Sequence, residues 1–267
     1  MLAPSLASDA RFEAELLLAA TLSVNRAALV ARNGETLDAD VIADYLARVT
    51  RRAAGEPFAY VTGRRGFWTL DLAVTPDVLV PRPETELLVD LALSFGEGIE
   101  SRPVRLVDLG TGSGAIALAL AAERPQWEVT ATDLSPAALA VASANAVRHD
   151  LQRVQFLEGS WFEPLPGRAF DLVISNPPYV AADDPSMRSL GFEPRLALTP
   201  GADALMALRE IIDRAPAHLR PGGYLLLEHG ATQATVVTEM LVARGFHHVG
   251  SHPDLAGHLR VSVGRWP

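Results

Sequence analysis

The residues best suited to chemistry stand at 176–179, where Asn-Pro-Pro-Tyr follows directly on the apolar run Phe170-Asp-Leu-Val-Ile-Ser175. Two consecutive prolines lack amide hydrogens and have a fixed φ, so they cannot continue a strand ladder, and the strand has to stop at Asn176. The Asn176 carboxamide, the carbonyls of Pro177 and Pro178 and the Tyr179 ring are then left at the carboxyl edge of a sheet, where open α/β folds bind ligands. Such a corner suits a planar amino group, with acceptor oxygens for its hydrogens and an aromatic face for its plane. Every residue type in the tetrapeptide also favours turns, so a plain turn is the competing reading.

A second constellation lies upstream. Val104-Arg-Leu-Val-Asp-Leu-Gly-Thr-Gly-Ser-Gly-Ala-Ile-Ala117 reads as a buried strand ending after Asp108, a turn with glycines at 110, 112 and 114, and a helix. Such glycines let a loop pass beneath a ligand without β-carbons while the helix amides face it, although they can equally serve a tight turn. Between them stand Thr111 and Ser113. The Gly-x-Gly-x-Gly spacing departs from the Gly-x-Gly-x-x-Gly dinucleotide fingerprint, which disfavours NAD. Asp133 ends the next strand, Trp127-Glu-Val-Thr-Ala-Thr-Asp, roughly twenty residues on, where an acid accepts hydrogen bonds from ribose hydroxyls. It also precedes Ser135 and Pro136, which can cap and open a helix. Ser160 and Trp161 leave the third strand where a ring nitrogen and a ring face would be met, the alternative for Trp161 being a place in the core.

These groups have to be held by a particular set of elements. Up to about residue 60 the apolar spacing is helical, with breaks at Asn33-Gly34 and Gly55-Glu-Pro57, which predicts short helices in a small bundle. Phe67 to Val80 turns aromatic and alternating, as a two-stranded connector would, so a boundary is expected near residue 75. The chain divides on this reading into a helical domain over 1–65, a β-hairpin linker over 66–80 and an α/β domain over 81–267. Arg82-Pro-Glu-Thr-Glu86 reads as a helix start, with Pro83 in the first turn and Glu84 and Glu86 at the positive helix end, a contact to substrate being the alternative. From Val104 the chain alternates, with strands at 104–109, 127–132, 153–157, 170–175 and 223–228 and helices at 114–122, 136–148, 203–219 and 232–243. Closing strands near 246–251 and 258–264 have no helix between them and should pair antiparallel at the end of the sheet. The fold class is α/β, a mostly parallel sheet with helices on both faces.

Composition narrows the functions. The 267 residues, 49% of them apolar, can bury one large core or two smaller ones, and no apolar run reaches the roughly 18 residues of a membrane span. Cysteine is absent, which removes disulfides, thiolate metal sites and cysteine nucleophiles. All 23 basic residues are arginine, so Schiff-base chemistry and a phosphate loop ending in Gly-Lys are excluded. A net charge of −9 disfavours a long nucleic-acid interface. His247, His248, His252 and His258 fall on predicted edge strands without the spacing of a ligand pair, so no metal is expected. The default expectation is a cytoplasmic enzyme with no membrane association.

Asp108, the glycine turn and Asp133 together resemble the methyltransferases that bind S-adenosylmethionine on a seven-stranded Rossmann-like sheet, over roughly residue 100 to the end. In that chemistry the acceptor nitrogen must present a lone pair in line with a methyl carbon. Asn176 Oδ1 and the Pro177 carbonyl, each taking one hydrogen, would hold it and favour a pyramidal nitrogen as charge develops. Adenine, cytosine and the glutamine side-chain amide are all such acceptors.

The ordered set Gly55-Glu-Pro-Phe-Ala-Tyr60, Gly66-Phe-Trp68, Val80-Pro-Arg-Pro-Glu-Thr-Glu86, Asp108 to Ile116, Gly159-Ser-Trp-Phe162, Asn176-Pro-Pro-Tyr179 and Glu193-Pro-Arg-Leu-Ala-Leu198 is similar to one family. It resembles the glutamine methyltransferases of peptide-chain release factors, the PrmC family, formerly HemK. The resemblance implies N5-methylation of the glutamine in the Gly-Gly-Gln loop of bacterial class 1 release factors, with S-adenosylmethionine converted to S-adenosylhomocysteine and no metal. It implies that Asp108, Gly110, Thr111, Gly112, Ser113, Gly114, Asp133, Trp161 and Asn176 contact the cofactor. Asn176, Pro177, Pro178 and Tyr179 would hold the glutamine, and Asn176, Pro177 and Tyr179 would serve the transfer itself. The helical domain would bind the release factor, and the enzyme is expected to act as a monomer without DNA. The alternative is an N6-adenine or N4-cytosine nucleic-acid methyltransferase.

Overall fold

The computed structural model describes residues 4–32, 34–99 and 102–267, in two compact units that divide between Arg64 and Arg65. The first unit is helical: α1 (Pro4–Thr21), α2 (Arg26–Ala31), α3 (Ala39–Ala53) and α4 (Phe58–Thr62). Asn25 starts α2 by accepting the Ala28 amide at 2.8 Å, which satisfies one of the orphan donors of a helix start. Arg52 of α3 reaches Glu13 of α1 with two hydrogen bonds of 2.9 and 3.1 Å.

The second unit opens with the hairpin β1 (Arg64–Phe67) and β2 (Leu70–Ala73). Strand pairing was expected to run on to Val80; it stops at Ala73 because Thr75-Pro-Asp77 folds into a turn, with the Val78 amide on the Thr75 carbonyl at 3.1 Å. Residues 74–82 are thereby released as an irregular segment. The expected helix start at Arg82–Glu86 is present: a 3₁₀ turn at Pro83–Thr85 leads into α5 (Glu86–Glu97).

Then follow β3 (Arg105–Leu109), α6 (Ala115–Glu123), β4 (Glu128–Asp133), α7 (Pro136–Arg148), β5 (Gln155–Glu158), β6 (Phe170–Ser175), α8 (Arg195–Leu198), α9 (Met206–Arg214), β7 (Leu219–Glu228), α10 (Ala234–Arg244), β8 (His247–Pro253) and β9 (Leu259–Arg265). The seven strands of the sheet lie in the order β5-β4-β3-β6-β7-β9-β8, parallel except where β9 pairs with β7 and β8. The chain therefore winds outward in opposite directions from β3 and β6, and a crevice opens at their carboxyl ends.

Two departures from expectation have local causes. The helix expected over 203–219 ends at Arg214, since Pro216 cannot donate in an α-helix and a 3₁₀ turn replaces it; β7 then begins at Leu219 instead of 223. The last two strands are not both edges. β9 returns between β7 and β8, so only β8 is an edge, and His258 precedes an interior strand.

Alternate residues of the central strands feed two cores. Leu106, Leu172, Ile174 and Leu226 face α5 and α6, whereas Val107, Leu109, Val173 and Leu227 pack with α9 and α10 residues such as Leu208 and Val237. Each such side chain contributes roughly 1.5–3 kcal/mol by leaving water. Buried Asn145 of α7 ties three parts together: its amide spans the Ala73 backbone at 2.7 and 3.0 Å and donates to the Ser113 carbonyl at 2.9 Å. Among the described residues no helix is long and apolar enough to cross a membrane.

Candidate active site

Register sets the site. Leu109 pairs with both Thr132 and Ser175, so the residues that follow, Gly110, Asp133 and Asn176, emerge side by side at the switch point. They border a cavity of ≈ 200 Å³.

The three glycines answer to different needs. All have positive φ, +73° at Gly110, +56° at Gly112 and +84° at Gly114. A Cβ on Gly114 would stand 2.9 Å from Leu118 Cδ1 and 3.2 Å from Ala142 Cβ, so this glycine permits α6 to pack on α7. A Cβ on Gly110 would meet the Trp161 ring at 3.2 Å. At Gly112 it would meet nothing within 4 Å, which leaves backbone open to the cavity.

Acids lie below and beside this loop. Asp108 is fully buried; its Oδ2 accepts the Thr111 hydroxyl at 2.6 Å, and no side chain or backbone of the described residues stands within hydrogen-bond distance and geometry of Oδ1. Burial pushes this carboxyl up to about 7. Asp133 accepts the Gly112 amide at 2.8 Å and the Ser135 amide at 2.9 Å, while Ser135 caps α7 through the Ala138 amide. Desolvation raises the Asp133 pKa against these backbone donors. Asp133 thus closes the turn, holds the amide of the capping Ser135 and lines the cavity.

Thr111, Ser113, Ser160 and Trp161 also line it. Trp161 has φ +49° and packs its ring against Gly110 and the core on the α9–α10 side. A place against the core and a place on the cavity wall are joined in one residue.

Asn176 follows Ser175, whose hydroxyl bonds the Leu109 carbonyl at 2.7 Å. Asn176 Nδ2 donates to Thr85 Oγ1 at 3.1 Å, and no described residue donates to its Oδ1. Pro178 lines the cavity; Pro177, Tyr179, Asp108 and Gly114 do not. Tyr179 turns toward β7, where its hydroxyl donates to Glu228 Oε1 at 3.1 Å and its carbonyl accepts from Gln233. Burial and the Glu228 charge raise its pKa. Glu228 is itself 1% exposed, and burial pushes it up to about 7 against the hydroxyls of Thr85 and Tyr179 and the charge of Arg260.

The opposite wall comes from the end of the expected connector, from the expected helix start and from a segment near 194–196 that sequence patterns left as loop. Val78, Arg82, Thr85, Pro194 and Leu196 line the cavity. Glu193 clamps the two segments together, accepting the Val80 amide at 3.1 Å and pairing with Arg82. Among the described residues no group of three potential metal ligands occurs.

The chain matches two family models, the PrmC N-terminal domain over residues 2–63 and the methyltransferase small domain over residues 91–189. It is 50% identical over 259 residues to the release factor glutamine methyltransferase of Xylella fastidiosa strain Temecula1, across 96% of this chain and 94% of that one. The chain belongs to the release factor glutamine methyltransferase family. Members from Burkholderia pseudomallei (50% identity; 96% and 92% of the two chains) and Coxiella burnetii (45%; 96% and 91%) agree.

Solved structures share the fold. A 16S rRNA methyltransferase of T. thermophilus, in complex with AdoMet and guanosine, superposes with a TM-score of 0.58 at 22% identity, over 76% of this chain and 50% of that one. A Pyrococcus furiosus methyltransferase gives 0.54 at 20% identity, over 82% and 98%. The protein is a methyltransferase with a Rossmann-like fold.

Within this release factor glutamine methyltransferase, sequence reading missed Glu228 and the part of Glu193. One signal was present. Glu228 is a charge closing the apolar run Tyr224-Leu-Leu-Leu at the carboxyl end of a strand, next to the switch point. Thr85 was hidden inside a helix-start pattern that is also real.

Proposed function

We propose that this enzyme transfers a methyl group from S-adenosylmethionine to the side-chain amide nitrogen, N5, of the glutamine in the Gly-Gly-Gln loop of bacterial class 1 release factors. The observation that carries the reading is the Asn176 carboxamide: its nitrogen is engaged by Thr85, its oxygen is claimed by no described residue, and it stands beside a cavity floored by the glycine turn. Family membership supplies the substrate class.

The residues present fit the cofactor. Gly112 offers bare backbone, Asp133 stands at the cavity edge for ribose hydroxyls, and Ser160 and Trp161 are placed for a purine ring. When bound, S-adenosylmethionine supplies a methyl group on a positively charged sulfur and is left as S-adenosylhomocysteine.

The chain's own contribution is positioning. Asn176 Oδ1 accepts one hydrogen of the substrate amide at the cavity, and the Pro177 carbonyl, next along the chain and outside the cavity lining, takes the other, which fixes the nitrogen and favours the pyramidal form in which its lone pair leaves conjugation. Pro178 shapes the wall, and Tyr179, anchored to Glu228, sets the exit of the tetrapeptide from β6. No residue has to act as a strong base before transfer, and water takes the departing proton. The helical unit docks the release factor, and the reaction belongs to the cytoplasm, where translation ends. A nucleic-acid acceptor is disfavoured by the net charge of −9.

The test is transfer of labelled methyl to purified release factor, DNA and RNA in parallel. Label on release factor, lost when its Gly-Gly-Gln glutamine is replaced, is expected. Label on nucleic acid alone overturns the reading.

A further inference from the structure

A carboxamide is nearly symmetric in shape, so packing does not decide whether Asn176 presents Oδ1 or Nδ2 to the cavity; hydrogen bonds do. Nδ2 donates to Thr85 Oγ1 at 3.1 Å. A hydroxyl can donate or accept, so Thr85 holds this orientation only if its own proton is drawn elsewhere. Glu228, at the end of β7, is the group on hand to draw it. It is 1% exposed, takes the Tyr179 hydroxyl at 3.1 Å on Oε1, and among the described residues Oε2 has no hydrogen-bond partner. The Thr85 hydroxyl lies near enough to the same carboxyl to hold its pKa down against burial.

An ionised carboxylate only accepts, and with Tyr179 already donating to it, Thr85 is left to direct its proton toward Glu228 and its lone pair toward Asn176. We propose that Glu228, acting through Thr85, is a positioning residue that holds the Asn176 carboxamide with Oδ1 toward the acceptor nitrogen. The proposal rests on the glutamine-methylation reading above.

Protonation of Glu228 reverses the logic. Its new O–H competes with Asn176 for the Thr85 lone pairs, and a flipped Nδ2 would meet the amide hydrogens of the substrate donor to donor. Turnover should therefore fall as Glu228 takes up a proton, around pH 7. The groups facing Glu228 are Tyr179, Thr85, Arg260 from β9 and Glu84 from the 3₁₀ turn, with Arg82 acting on Tyr179. Asp108 is also raised to about 7, but it bonds Thr111 under the glycine turn, so its titration should be read in cofactor affinity.

The full chain is assayed with release factor for kcat and KM against pH, and by calorimetry with S-adenosylhomocysteine. Glu228→Gln and Thr85→Val should each lower kcat about tenfold or more, and the double variant should be no slower than the slower single, because the two act as one unit. Affinity for S-adenosylhomocysteine should stay within about threefold, and Thr85→Ser, which keeps the hydroxyl, should recover most of kcat. The acid limb of kcat near pH 7 should vanish in Glu228→Gln. Any of four results overturns the proposal: an unchanged acid limb, effects that multiply in the double variant, Thr85→Ser as slow as Thr85→Val, or cofactor affinity falling in step with kcat. If the unaltered enzyme labels no release factor, the underlying reading fails instead.

Discussion

Asp108 shows how a single side chain can be stabilising at one pH and costly at another. Its carboxyl ordinarily titrates at 3.8 and is raised to about 7 in the fold by burial. Between those values the folded chain holds a proton that the unfolded chain has released, so stability falls as pH rises through the window and stays low above it. Asn at this position does not titrate and can still accept from Thr111. Relative to the unaltered protein, Asp108→Asn should thus gain roughly 2 kcal/mol on going from about pH 5 to about pH 8, read by urea unfolding at both. An offset that does not change with pH would dismiss the buried-acid account. Asn176→Ala removes the oxygen proposed to orient the substrate, and kcat should drop by roughly 10²–10³, with calorimetric affinity for S-adenosylhomocysteine much less affected. Full turnover by that variant would take Asn176 out of its assigned role. The residues on the local chain, Asn176, Asp133 and Gly110 to Gly114, were readable because turn chemistry and strand ends place them. Thr85, Glu193 and Glu228 were not, since their partners are supplied by other elements: Asn176 for Thr85, Val80 and Arg82 for Glu193, Tyr179 for Glu228.

Elements whose ends carry their own stop signals matched expectation most closely. The helix Pro136–Arg148 begins at a capping serine and proline, and the strand Phe170–Ser175 ends at two prolines. The hairpin was misjudged because alternating apolar residues continue past the turn at Thr75–Asp77, and the start of β7 because the preceding helix was expected to run on through Pro216 to residue 219. The glycine turn was legible as a turn, but not the division of labour within it. That division predicts opposite phenotypes. Gly112→Ala adds a methyl in open space and only the left-handed strain of about 1–2 kcal/mol, so the protein should fold and lose affinity for S-adenosylhomocysteine. Gly114→Ala carries the same strain and presses on Leu118 and Ala142 as well, so it should lose roughly 2–4 kcal/mol of stability. Calorimetry and thermal unfolding of both variants decide the matter; equal stability losses would erase the distinction drawn between them.

At the scale of the molecule, a chain of net charge −9 joins a helical unit to a methyltransferase unit, and the acceptor in the proposed reaction is a protein loop. A single glutamine side chain gives little area for recognition, so selectivity for release factors has to be drawn from a surface outside the catalytic cavity. The helical unit exposes apolar side chains that its own packing does not use: Ile42 and Leu46, one turn apart on α3, are 42% and 55% exposed. Their spacing places them on one face of the helix. If that face docks the release factor, Ile42→Asp with Leu46→Asp should raise KM for release factor by about tenfold or more, leave kcat at saturation nearly unchanged, and shift stability by no more than about 0.5–1 kcal/mol because both sites are already in water. The salt dependence should also be shallow, unlike the 10³–10⁵-fold losses of a protein that neutralises roughly 6–10 phosphates. Steady-state kinetics of the double variant with intact release factor, set against a free peptide carrying only the Gly-Gly-Gln loop, separates the possibilities. A KM that rises for the whole factor and not for the peptide places recognition on α3, whereas equal change for both substrates, or none for either, removes α3 from the docking surface.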